Sequence, residues 1–137
     1  LRQLLARIED IETGRVTLDA LHVAIPPERI EQAKKAAAVL GDEVYSKFPF
    51  VKGMQPALDD LAELVLNRTW RPALSVTGQE GWPPLSNAGN VLRPFTAVKL
   101  SMRLPPTADG KAAGHALRDA LIKSPPYGAK VSFELEK

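Results

Sequence analysis

Proline placement constrains this chain more than any other feature. Eight of its 12 prolines stand in four doublets, Pro26-Pro27, Pro83-Pro84, Pro105-Pro106 and Pro125-Pro126. Each doublet fixes φ twice, removes two backbone donors and pushes the preceding residue out of the helical region. No helix or interior strand can run through one, so the 137 residues must divide into short elements between these marks. That length is one domain by the ordinary prior, long enough to bury a real core.

The segments between the doublets carry clear periods. Leu1, Leu4, Leu5, Ile8 and Ile11 recur at helical spacing and predict a helix over 1–11, ended by Thr13-Gly14. Residues 14–18 read as a short extended stretch. Pro26-Pro27-Glu28 opens a helix whose apolar face is Ile30, Ala33, Ala37 and Leu40 and whose stop is Gly41. Pro56 is expected to begin a third helix, with Leu58, Leu61, Leu64 and Val65 on one face, fraying near Asn67. Residues 73–77 alternate as a strand, and 78–90, rich in glycine and asparagine, read as a loop. The clearest strand runs from Phe95 to Leu104, with Thr96, Val98, Leu100, Met102 and Leu104 on one side and Phe95, Ala97, Lys99, Ser101 and Arg103 on the other. A helix over 109–122 follows, burying Ala112, Ala113, Ala116, Leu117, Ala120 and Leu121. Val131, Phe133 and Leu135 alternate with polar residues in a last strand.

Helix, strand, strand, helix, strand is the split βαβ order with its first strand missing. The fold expected is therefore α+β, a ferredoxin-like open-faced sandwich with helices on one face of an antiparallel sheet. Residues 15–70 would be a helical insertion within a single domain. The first strand would lie before Leu1, and the chain, which opens inside a helical pattern without Met, is expected to begin partway through a longer protein.

Composition narrows the chemistry. With no cysteine there is no disulfide, thiolate zinc site, iron–sulfur cluster or cysteine nucleophile. Two histidines, His22 and His115, supply little for a metal site or a triad. A net charge of +2 is a weak field for nucleic acid. No apolar run approaches the roughly 18 residues of a membrane-crossing helix. His115 falls on a polar helix side and His22 between apolar neighbours, and neither is assigned chemistry. Asp59, Asp60 and Glu63 complement a helix dipole more simply than they pair as acids. Trp70 and Trp82 read as packing or interface residues.

Three stretches resemble one zinc metallopeptidase family, which includes carboxypeptidase G, acetylornithine deacetylase, succinyl-diaminopimelate desuccinylase, aminoacylase and carnosine dipeptidase. Val98-Lys99-Leu100-Ser101-Met102-Arg103-Leu104-Pro105-Pro106 resembles the family's K-x-S-F-R-L-x-P strand. Asn90-Val91-Leu92 resembles the N/T-V-I/L-P segment that introduces it, although here proline comes one place later, at Pro94. Pro126-Tyr127-Gly128-Ala129-Lys130-Val131, after the helix, resembles the closing P-x-G-x-x-V. The likeness is strongest over 70–137. It is weaker over 1–69, where it matches the insertion of dipeptidase-like members.

The resemblance implies a lid or dimerisation domain, inserted in a catalytic domain that binds two zinc ions and paired with its twin in a homodimer. It implies that Arg103 binds the substrate's carboxylate and that Asn90 reaches the partner's active site. The substrate would be peptide-like or an N-acyl amino acid. It implies no catalytic residue and no metal ligand in this chain, and no nucleic-acid or membrane partner; the cytoplasm is favoured over a secreted or periplasmic location. From the residues alone, Arg103 reads first as a solvated arginine on an exposed sheet face and Asn90 as a former of left-handed turns; the resemblance is what gives each a binding role. Strand 73–77 is the edge expected to pair with a second copy. The alternative is a stand-alone ferredoxin-like module for RNA or a small effector, which would need aromatic residues on its open sheet face.

Overall fold

A computed structural model of the chain describes residues 1–136. The architecture is α+β and open-faced. Helices α1 (Arg2–Leu5), α2 (Pro27–Leu40), α3 (Glu43–Ser46) and α4 (Leu61–Thr69) precede strands β1 (Ala73–Glu80) and β2 (Ala97–Arg103), and α5 (Gly110–Ile122) follows. β1 and β2 form a two-stranded antiparallel sheet, with Ala73 opposite Arg103 and Glu80 opposite Ala97. A bulge at Thr77 shifts the register between Val76 and Gly78. The extra residue shifts the strand's phase, so Gly78 rather than Thr77 pairs with Lys99.

The main core lies on one face of this sheet. Ile8, Val16, Leu21, Ala113, Leu117 and Leu121 are buried, with Leu74, Leu100, Met102, Leu104 and Phe133 packed against them. The alternation read in β2 is the observed one: Val98, Leu100 and Met102 are half-buried, while Lys99, Ser101 and Arg103 are exposed. On α5, Ala113, Leu117 and Leu121 are buried as expected, but Ala112 is exposed.

Helices α2, α3 and α4 pack on one another around Ala33, Ala37, Val44 and Leu66. None of those residues joins the main core. Val16 and Leu21 do join it, so the polypeptide leaves the sheet layer only at the Pro26-Pro27 doublet. Proline at the first turn and Gly41 at φ 52° bound α2 where the sequence placed its ends.

Four elements differ from expectation. α1 stops at Leu5, because Asp10 turns the chain: its carboxylate accepts from the Glu12 and Thr13 amides, at 3.1 and 2.7 Å. Those bonds, Thr13's first, hold the Asp10 carboxyl below its ordinary range. Glu9 then bridges back to Val16 across the turn. The third helix begins at Leu61, not Pro56, because Asp60 caps it, accepting from the Ala62 and Glu63 amides. Residues 131–134 keep their alternation, Leu135 is exposed, and the segment makes no ladder hydrogen bonds and is not a strand. The loop also differs: β1 runs on to Glu80, so the connection spans 81–96.

Asp109 caps α5 in the same way, accepting from the Lys111 and Ala112 amides at 2.8 and 3.1 Å. Asp109→Ala is expected to lower stability by about 1 kcal/mol, read as a shift of the denaturation midpoint, whereas Asp59→Ala, which removes no cap, leaves it unchanged.

Arg7, which follows α1, closes the other end of α5. Its guanidinium donates to the carbonyls of Ala120 (3.1 Å), Lys123 (2.7 Å) and Ser124 (2.8 Å). A cation here meets the negative end of the helix dipole and satisfies orphan carbonyls. It also holds the sharp turn in which Ser124 has φ 43°.

Candidate substrate-carboxylate site

Arg103 is the last residue of β2 and faces outward, opposite Ala73. The period-2 alternation that buries Leu100 and Met102 puts it on the open face together with Lys99, Ser101 and Ser75. Lys99 is engaged, its Nζ lying 2.7 Å from a Glu136 carboxylate oxygen. Arg103 makes no hydrogen bond or ion pair among the described residues. Its planar fork of donors is thus available for a two-point bond to a carboxylate.

Asn90 sits in the loop 81–96, which is exposed along nearly its whole length. Near its ends, Arg93 stacks over the Trp82 ring, 4.2 Å from the centroid. At the start of the loop, Gly81 has φ 80°, and a Cβ there would lie 2.3 Å from the Phe95 carbonyl oxygen. Only glycine allows the two arms to approach so closely.

The two candidate residues belong to opposite ends of the hairpin. The loop leaves the hairpin where Glu80 meets Ala97, while Arg103 closes the opposite end. At the rise of a β-strand those ends are about 20 Å apart.

The other sequence candidates have structural roles. His22 Nε2 lies 2.7 Å from the Val16 carbonyl oxygen, to which an Nε2–H donates. His115 is exposed on α5. Asp60 is a cap. A cleft of about 240 Å³ between α2 and α4, lined by Arg29, Ala33, Val65 and Trp70, holds neither Arg103 nor Asn90. Among the described residues no group of three or more histidine, aspartate or glutamate side chains could hold a metal ion. The open face carries no aromatic residue within β1 or β2, which removes the stacking platform that an RNA-binding sheet of this class uses.

No protein-family model matches the sequence, and no curated protein does. Solved structures do. An M20 family metallo-carboxypeptidase from Sulfolobus solfataricus superposes with a TM-score of 0.60 at 18% identity, over 88% of this chain and 31% of its own. Human carnosine dipeptidase 1 gives 0.60 at 22% identity, over 86% and 25%. A di-peptidase of Saccharomyces cerevisiae gives 0.60 at 19%, over 87% and 24%. The chain has the fold of a segment of these peptidases. It spans a third or less of the length of each. That segment includes α2–α4 as well as the sheet layer, because a match over 86–88% of 137 residues cannot leave out either.

Arg7 and the Lys99–Glu136 pair escaped sequence reasoning. Arg7 meets partners 113 to 117 residues away, and no local pattern encodes such a contact. The positive end of a short apolar helix, facing a helix that ends in Lys123-Ser124, was the only available signal.

Proposed function

We propose that this chain is the lid and dimerisation domain of a metal-dependent peptidase or amidohydrolase in the family it resembles. One observation carries the reading. The strand that resembles the family's K-x-S-F-R-L-x-P motif is β2, and its arginine, Arg103, stands on the open face with no partner among the described residues. The partial match to three peptidases supports it. In this reading Arg103 holds the carboxylate of a peptide-like or N-acyl amino acid substrate. The catalytic domain, with its two zinc ions, belongs to the rest of the polypeptide. When bound, the metal would supply the polarised water that attacks the amide; this chain would orient the substrate by its charge.

That Asn90 and Arg103 attach to opposite ends of the hairpin supports action on two different active sites. Asn90 would serve the partner subunit's site, from a loop long and exposed enough to cross a subunit boundary. Dimerisation would use the outer edge of β1, unpaired among the described residues, with two copies satisfying each other's backbone groups about a two-fold axis.

The coding sequence on either side tests the family directly. Histidine and carboxylate zinc-ligand motifs should flank these residues, and their absence overturns the reading. For the assembly, light scattering of the full-length protein should give twice the chain mass, and Ser75→Pro, in the middle of β1, should yield monomer. A wild-type monomer at micromolar concentration contradicts the dimer.

A further inference from the structure

Helices α2 and α4 pack on each other without closing the space between them. Ala33 and Ala36 of α2 are too short to fill it. A cleft of about 240 Å³ remains, walled by Arg29, Gln32, Ala33, Ala36, Val65 and Trp70. Its interior is apolar. Ala33 is buried, and Ala36, Val65 and Trp70 are half-buried.

The polar groups around this cleft offer hydrogen bonds more than they accept them. Arg29 donates to the Gln32 side-chain oxygen at 2.8 Å, and it has no acidic partner among the described residues. That bond occupies the Gln32 oxygen and leaves the Gln32 amide hydrogens free to donate. Thr69, at the rim, spends its hydroxyl hydrogen on the Val65 carbonyl at 2.7 Å. No carboxylate lines the cleft. Arg71, one residue beyond Trp70, is by contrast fully engaged. It pairs with Glu63 at 2.7 Å and donates to Asn67 at 2.6 Å, both on α4. Those bonds fold the chain leaving α4 back onto that helix, so the Trp70 wall is set in advance of any ligand.

An apolar slot with an aromatic wall and one unneutralised guanidinium at its mouth suits a small acid with a flat apolar body. We propose that the cleft between α2 and α4 binds a small aromatic carboxylate, with its ring against Trp70, Val65 and Ala36 and its carboxylate on Arg29. Arg29 keeps the donors for two parallel bonds to a carboxylate. The volume admits about ten non-hydrogen atoms, a phenyl ring with a short acid tail and no longer chain. None of these residues belongs to the Arg103 face, and the proposal does not rest on the peptidase reading.

Fluorine NMR of the full-length protein labelled with fluorotryptophan tests it. The resonance missing from Trp70→Phe belongs to Trp70. Phenylacetate should shift that resonance, with saturation by about 10 mM, and leave the Trp82 resonance in place. Phenylacetamide, of the same size but uncharged, should need about tenfold more. Arg29 is exposed, so Arg29→Gln should fold normally and erase the preference for the acid. Ala36→Leu, which fills the slot and keeps the charge, should abolish the shift; Ala36→Val should weaken it and serves if the leucine variant does not fold. A Trp70 resonance that phenylacetate does not move overturns the proposal. Equal responses to acid and amide overturn it too, as does an undiminished preference for the acid in Arg29→Gln. Movement of both tryptophan resonances together would mean non-specific association and would also overturn it. Hydrolysis is not measured, so failure here is distinct from failure of the peptidase reading.

Discussion

Replacing Arg103 with glutamine in the full-length protein is expected to lower kcat/KM about 100-fold for substrates with a free carboxylate, roughly 2.7 kcal/mol of lost transition-state binding. A guanidinium aimed at a carboxylate makes two parallel, charge-assisted bonds, and glutamine replaces neither the charge nor the fork. The same substrates with their carboxylate amidated should lose less than about threefold, because the amide never engaged the fork fully. That contrast separates carboxylate binding from a general loss of structure. Arg103 is exposed and ends β2, so the fold does not depend on it. A melting temperature within about 1 °C of wild type should accompany the change. Equal losses on free and amidated substrates would remove Arg103 from the substrate.

The largest stability effect is expected in the main core. Ile8 is fully buried, at 0% exposure, between the α1 turn and α5. Ile8→Ala should cost about 3 kcal/mol, from lost transfer free energy and the cavity left behind, and lower Tm by roughly 10 °C. Ile8→Val, which removes one methylene, should cost about 1 kcal/mol and provides a folded variant if the alanine fails to express. Val39→Ala is the contrasting change. That residue is equally apolar but 86% exposed on α2, and its loss should stay within about 0.5 kcal/mol. The two are read by the same denaturation curve. Similar losses at both positions would mean that Val39 is not the exposed residue the structure shows.

Much of this was legible in the sequence, and the limits have physical causes. α2 is bounded by rigid local chemistry, proline at its start and a glycine at positive φ at its end, and both signals are visible in a few residues. β2 announced itself by strict alternation because one face is buried and the other open. The third helix starts later than its proline suggests because Asp60, whose side chain satisfies two amides, sets the start more strongly than Pro56 does. Residues 131–135 have the pattern of a strand, but a strand is a relation between two segments, and pattern in one cannot supply the other. Helix 1–11 failed in the same way: its apolar spacing is real, and Leu4, Leu5 and Ile8 do face the core, yet Asp10 draws the backbone into a turn that returns through Arg15. At the candidate site, Arg103 was identifiable from its strand position. The register that puts Arg103 opposite Ala73, at the hairpin end away from the loop, was not, because it depends on the bulge at Thr77 and the pairing of two segments.

In the proposed role this domain orients substrate for a hydrolase and leaves the hydrolysis to the rest of the polypeptide. The most direct measurement compares the full-length protein with the 137-residue chain on a panel of dipeptides, with and without a chelator. Hydrolysis by the full-length protein is expected, with loss on chelation and recovery with zinc, and none by the isolated chain under any condition. Turnover by the isolated chain, or a full-length protein indifferent to chelation, would contradict it.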